Sequence, residues 1–296
     1  MTVAEACPIH VADEFESVRA LYAARDRDCQ YERQWGYVNP AAAGYWRIRD
    51  ELVTEAVCRR FDVPTSHLKI LEVGVGHGHE LAKFALLGIP QENLVGVDVV
   101  PDRLVRARAI YPAIRFEDGD GRALPFADAS FDVVCQFTCA MHAPSKRAQE
   151  LMCREMSRVL RPGGIIIWWD IAPARWRLVV AKRLASVLLG PKRMRRALGQ
   201  SWRTLTELLL PSRRRQAVAG AQPPYILPVD PKELESWFPG LLVQQRRAGL
   251  DYPVWESLWS RHQTFAHYLW RKGWLSHHCF AVVERTNTRS SSQEPP

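Results

Sequence analysis

The chain has 296 residues, of which 47% are hydrophobic and 24% charged, with a formal net charge of +8. That apolar share supports a buried core and excludes a disordered chain, and no apolar run approaches the roughly 18 residues of a membrane-crossing helix. The seven cysteines are odd in number, scattered and without a C-x-x-C pair, which argues against zinc sites and disulfide frameworks. Met1 to Glu5 lack the basic-then-apolar pattern of an export signal, so the expected compartment is the cytoplasm, with reduced thiols.

In chain order, residues 1–12 read as a loose end, and Phe15, Val18, Leu21 and Tyr22 recur at helical spacing within 13–27. Tyr31, Trp35, Tyr37, Tyr45 and Trp46 make an aromatic-rich connection into a second helix over 42–60. These aromatics read as packing residues or, functionally, as part of an N-terminal helical lid spanning 1–60. Strands and helices then alternate: strand 69–73, helix 79–88, strand 94–98, helix 101–110, strand 113–116, strand 131–137, helix 145–160 and strand 164–169. Continuous apolar strands between helices predict an α/β, doubly wound parallel sheet over the core segment 61–172.

Beyond Asp170 the character changes. Between Arg175 and Arg215 there are twelve Lys and Arg against one acid, Glu207, so the basic excess belongs to this piece and the rest of the chain is net acidic. The segment 173–222 reads as a basic helical insertion after the fifth strand. The sheet pattern resumes over 223–285, with a helix at 231–238 capped by Asp230, a strand at 241–250, an aromatic-rich connection at 252–275 and a last strand at 278–284. Residues 286–296 read as a disordered tail.

The informative stretch is Ile70-Leu71-Glu72-Val73-Gly74-Val75-Gly76-His77-Gly78-His79, an apolar strand running into three glycines and then a helix. Such a turn lets a ligand approach bare backbone at a helix N-terminus. About twenty residues past the glycines, the buried run Leu94 to Val97 ends in Asp98, an acid placed to accept from a ribose diol. The pattern points to a nucleoside-containing cofactor. Against the dinucleotide fingerprint, His79 stands where the third glycine belongs.

Asp118-Gly119-Asp120-Gly121-Arg122-Ala123-Leu124-Pro125-Phe126-Ala127-Asp128-Ala129-Ser130-Phe131-Asp132 resembles the "GDA-x-x-LPF-x-D-x-SFD" block of the class I S-adenosylmethionine (SAM) methyltransferases. Arg158-Val159-Leu160-Arg161-Pro162-Gly163-Gly164 looks like their "RVLKPGG" block, and with the Glu72–Gly78 and Gly96–Asp98 runs four motifs fall in order over residues 68–170. The resemblance implies a Rossmann-like seven-stranded sheet whose last strand is antiparallel, with SAM, leaving as S-adenosylhomocysteine (SAH), across the strand ends. It also implies roles: Glu72 and the Gly74, Gly76 and Gly78 backbone hold the methionine end, and Asp98 takes both ribose hydroxyls. Asp120 and Gly121 face the adenine, and Gln136 or Phe137 contacts the methionine amino group. Gly121 departs from the family's usual alanine, and Asp128 and Asp132 read as parts of a capped turn.

Methyl transfer from a sulfonium is an in-line displacement, which needs a positioned acceptor and, for a hydroxyl, a base. His142, just past the fourth strand, is the candidate general base, with a helix-start histidine as the bland alternative. Cys135, Cys139 and Met141 read as packing, and His77 and His79 as pocket walls; no metal site is expected. Cys135 to Thr138 is unlike the N/D-P-P-Y block of base-modifying enzymes, which leaves a small-molecule or sugar/glycan acceptor, methylated on a hydroxyl oxygen, as the expected class. The basic segment 173–216 suggests an anionic acceptor or peripheral membrane contact, and Thr264 to Trp270 loosely resembles methyltransferases of polysaccharide or natural-product pathways. The alternatives are an RNA methyltransferase or RNA-binding protein using the basic segment, where only Trp176 and Trp202 interleave the charges, and a NAD-dependent oxidoreductase.

Overall fold

The structure is a computed structural model, and it describes residues 15–27, 33, 36, 38–172, 227–248, 259, 263–272 and 278–286. The expected loose N-terminus, the basic insertion with its Trp176 and Trp202, and the C-terminal tail lie outside the described residues.

Seven strands form one sheet in the order β3-β2-β1-β4-β5-β7-β6. They are β1 (Ile70–Val73), β2 (Leu94–Asp98), β3 (Arg115–Asp118), β4 (Phe131–Phe137), β5 (Leu160–Ile171), β6 (Leu242–Ala248) and β7 (His278–Glu284). Strands β1 to β5 pair parallel, and β7 runs antiparallel between β5 and β6. The order reverses at β1, with β2 on one side and β4 on the other, and at such a switch the crossovers leave a crevice beyond the strand C-termini.

The strands are apolar because both faces are covered: every residue of β1 and β2 is buried. Alternation sorts their side chains into two cores. Ile70, Ile165, Ile167 and Trp169 face α2 (Pro40–Arg60), α3 (His79–Ala82) and α4 (Pro101–Ile110). Leu71, Val73, Ile166 and Trp168 face α5 (Lys146–Val159) and α6 (Pro231–Trp237). Two further helices among the described residues are α1 (Glu16–Arg25) and α7 (Gln263–Lys272).

Strands β3 and β5 are displaced from the expected 113–116 and 164–169, β5 running from Leu160 through Gly163 and Gly164. Three further departures have local reasons. Helix α2 starts at Pro40 rather than 42, because the Asn39 side chain accepts from the amides of Ala41 and Ala42 and Pro40 needs no amide partner. The helix expected over 79–88 is α-helical only to Ala82 and continues as a 3-10 turn over Lys83–Leu87 up to Gly88, whose φ is +82°. Within the expected connection 252–275, residues 263–272 form α7, and Ala266 is fully buried in the core.

Asn39→Ala removes the side-chain cap of a 21-residue helix. The expected loss is about 1 kcal/mol of unfolding free energy, to be read as a lower denaturant midpoint with an unchanged slope.

Candidate functional site

A cavity of about 450 Å³ lies at the C-terminal ends of β1, β2, β4 and β5, a size usual for small-molecule sites. Glu72, Gly74, Gly76, Asp98, Asp120, Gly121, Phe137 and His142 all lie on its wall. Residues spread from 72 to 142 in the sequence thus converge on the point where the strand order reverses.

The turn after β1 is tied to β2. The amides of Gly74 and Val75 donate to the Val97 carbonyl at 2.8 and 3.0 Å. The Asp98 carboxylate accepts from Gly76 N at 2.7 Å and from Val100 N at 2.9 Å. Burial raises the Asp98 pKa, and these backbone hydrogen bonds and nearby Arg103 work against the rise. Gly74 has a φ of +77°, and a Cβ there would sit 2.3 Å from Cys139 Sγ, so the turn after β1 and the turn after β4 touch.

Glu72 is 2% exposed, and its Oε2 has no hydrogen-bond partner. Burial, reinforced by Glu80, pushes its pKa well up. A carboxylate oxygen orphaned on a cavity wall costs free energy until a donor or cation meets it. Behind Glu72, Arg49 is buried and pairs with Asp50 at 2.9 Å and with Glu80, while Lys83 pairs with Asp50 and Glu80 at 2.9 and 2.7 Å.

Asp120 is engaged by its own loop, accepting from Arg122 N and Arg122 Nε at 2.8 Å each. At Gly121 a Cβ would come within 2.8 Å of Val73 Cγ1 and 3.2 Å of Met152 Cγ, which gives the glycine at this position a packing reason. Asp132 accepts from Lys69 N at 2.8 Å and pairs with Arg161, and Asp128 pairs with Arg158 at 2.8 Å, which makes both braces of the following segment.

Two expected residues are not on the wall. Gly78, with φ +81°, begins α3, and a Cβ there would meet Phe116 at 2.8 Å, so it serves packing against β3. Gln136 is fully buried: its Oε1 accepts from Cys139 N at 2.9 Å and Ala140 N at 3.3 Å, and its Nε2 donates to Trp169 O at 3.3 Å. Gln136 therefore shapes the turn beneath His142 instead of facing the cavity.

Other residues were not singled out as site residues by sequence. Helix α1 brings Val18, Tyr22 and Arg25 to the wall, next to Phe15. It is fastened there by Arg19 Nε donating to Val99 O at 3.0 Å and by Asp26, which lies 3.2 Å from His77 Nε2 and 3.4 Å from Arg103 Nε. Burial and Arg103 lower the His77 pKa, so the contact with Asp26 is one to a neutral ring. The Arg103 guanidinium covers the Tyr22 ring at 4.2 Å, and Tyr22 meets the His142 ring edge-on at 5.5 Å. The helical period of Phe15, Val18 and Tyr22 was the available signal, and the lid reading of residues 1–60 named no individual site residue. Trp46 and His278 also lie on the wall, and His278 comes from the far end of the chain with no local motif.

Beneath His142, the fully buried Asp170 accepts from Met141 N at 3.1 Å and Ile171 N at 2.8 Å. Thr138, at φ +56°, is held by its amide donating to Trp169 O at 2.7 Å, a strained non-glycine residue in the cavity wall. Burial pushes the Asp170 pKa up to about 7 against its backbone hydrogen bonds. The folded protein keeps this proton up to about pH 7, whereas the unfolded chain releases it near the ordinary 3.8. Stability therefore falls as pH rises through that window and is level above it. Asp170→Asn should lower stability overall while making the fall in Tm between those two pH values shallower than in the wild type. Parallel Tm–pH curves for the two proteins would disprove the assignment.

Residues 70–164 match the family model of a methyltransferase domain. Over 175 residues the chain is 30% identical to a methyltransferase, GfsG, of Streptomyces halstedii, covering 57% of this chain and 60% of that protein. It is 39% identical over 112 residues to a demethylmenaquinone methyltransferase of Deinococcus radiodurans, covering 36% and 44%. It is also 35% identical over 117 residues to a phthiotriol/phenolphthiotriol dimycocerosates methyltransferase of Mycobacterium leprae, covering 38% and 41%. The chain thus spans about half the length of the curated relatives it matches. Among solved structures, magnesium protoporphyrin IX methyltransferase of Synechocystis with bound SAH superposes at a TM-score of 0.53, with 13% identity over 93% of this chain and 97% of that one. The segment that builds the cavity's β1–β4 wall is therefore similar to a methyltransferase domain, and the seven-stranded sheet is the fold of SAM-dependent methyltransferases.

Proposed function

We propose that this protein transfers a methyl group from SAM to a hydroxyl oxygen of a small-molecule acceptor. The observation that carries the reading is the orphaned Glu72 Oε2, a buried acid on a cavity wall inside a methyltransferase-like segment. It suits the ammonium of the cofactor's methionine end, which would supply the missing donor. Asp98, already oriented by Gly76 and Val100, retains acceptor capacity for a ribose diol. The backbone of Gly74, Gly76 and Gly121, which lies on the cavity wall, fits the remainder of the cofactor. When bound, SAM supplies an activated methyl on its sulfonium sulfur.

The residues of the chain itself have three tasks. Helix α1, fastened through Arg19, Asp26 and Tyr22, covers the cavity and excludes water. The end of β4 and its turn hold the acceptor against the cofactor side, which turns a two-body encounter into an oriented one. His142, on the wall and braced by the turn that Gln136 and Asp170 hold, receives the proton of the acceptor hydroxyl as the oxygen is alkylated. A small molecule is favoured by the relatives, whose names include a demethylmenaquinone and a phthiotriol dimycocerosate methyltransferase.

Calorimetric titration with SAM, SAH and NAD tests the cofactor. SAM and SAH are expected to bind and NAD to give no heat, and Asp98→Ala should weaken SAM by roughly 1–3 kcal/mol, the loss of hydrogen bonds to a charged group. NAD binding in place of SAM, or an unchanged affinity in the variant, would refute the assignment. For the base, His142→Ala should lower acceptor-dependent SAH release by about 10²-fold or more while SAM affinity stays within about twofold. Wild-type turnover in that variant would end the role of His142.

A further inference from the structure

The charges on the cavity wall are divided by chain segment. Among the described residues, its Asp, Glu, Lys and Arg side chains come from α1 and from residues 72–122, on the cofactor side. Residues 137–171, His278 and the facing Trp46 contribute none. Across β4, β5 and β7 the wall includes instead Phe137, Met141, His142, Ile171 and His278, and Trp46 lines the same cavity.

These rings are fixed in place. Arg49, with its charge already matched by Asp50 and Glu80, lies 4.8 Å from the Trp46 ring centre and 5.2 Å from that of Phe137, bracing both. His278 stacks on Trp169 at 4.9 Å and 18°, and its Nδ1 is 3.1 Å from the Tyr45 hydroxyl. In the sheet register His278 stands opposite Ile171, so one pleat presents both to the cavity. Flat, immobilised side chains select for flat ligands at little entropic cost.

Among the described residues, polar side-chain groups are few on this side: Thr138 Oγ1 donates to the Phe137 carbonyl at 2.7 Å, and the others are the imidazoles, the Cys139 thiol and the Trp46 indole N–H. A sugar buries several hydroxyls, and a phosphate buries a charge, each of which is costly without a partner. A single hydroxyl on a ring needs one.

Resting on the methyltransferase reading above, we infer that the acceptor is a planar, uncharged aromatic compound bearing a hydroxyl, bound among Trp46, Phe137, Ile171 and His278. The imidazole of His142 meets the hydroxyl, and the ring occupies the apolar half. The anionic acceptor expected of the basic segment 173–216 concerns residues outside the described ones.

The test is calorimetry on the full chain saturated with SAH, using 1-naphthol, 1-naphthyl phosphate and methyl α-D-glucopyranoside as probes. The expected result is binding of 1-naphthol, at least about tenfold weaker binding of the phosphate, and no binding of the glucoside. Ile171→Asp, which places a carboxylate in the apolar half, should weaken 1-naphthol about tenfold or more with SAH affinity retained. Should that variant lose SAH as well, Trp46→Ala replaces it with the same expectation. The inference is overturned if 1-naphthol fails to bind, if the phosphate or the glucoside binds as tightly, or if the substituted wall leaves 1-naphthol affinity unchanged. A wild-type protein that binds no SAH instead refutes the cofactor reading, and the inference with it.

Discussion

The bond from the Gly76 amide to the Asp98 carboxylate is the constraint on which the site depends. A carboxylate buried at a strand end has to be matched by donors, and the donors nearest to hand are the amides of the turn that follows the neighbouring strand. Meeting that demand draws the turn after β1 over the end of β2, where Gly74 and Val75 add two more bonds to Val97. The turn can take this path because its glycines adopt positive φ, and the space over Gly74 is then filled by Cys139 from the turn after β4. One hydrogen bond thus sets the relation of three strand ends.

A second set of buried polar groups shapes the other half. Gln136 and Asp170 both accept from the amides of the 139–141 turn, and Thr138 takes a left-handed backbone there with its amide bound to Trp169. Low dielectric makes each such bond strong and its loss costly. The effect is that His142, the last residue of a single 3-10 turn (Ala140–His142), stands on a rigid platform. Rigidity on this side and open acidity at Glu72 on the other divide the cavity into a polar end and an aromatic one.

Helix α1 closes the arrangement with mixed contacts: an arginine to a backbone carbonyl, a carboxylate among His77 and two arginines, and a tyrosine between Arg103 and His142. Its face with Val18 and Tyr22 lines the cavity, and amphipathic spacing alone does not separate such a helix from one that packs on the main core.

The sequence by itself determined the alternation of strands and helices, the glycine turn and the acid at 98, because these are local: strand continuity, turn geometry and capping act over a few neighbouring residues. Of the residues expected to hold the cofactor, Glu72, Gly74, Gly76, Asp98, Asp120 and Gly121 lie together on the cavity wall, since they stand at or just past strand ends of a parallel sheet. Gly78 and Gln136 could not be sorted in the same way. A glycine beside a ligand and a glycine beside Phe116 look alike in one dimension, as do a glutamine facing a cavity and one spent on Cys139 and Ala140. Only the tertiary structure decided that His278 and Ile171 share a pleat, that Trp46 faces them, and that charge is confined to one side of the cavity. Those facts arise from register and crossover between segments more than a hundred residues apart, and no local rule of spacing or propensity carries them.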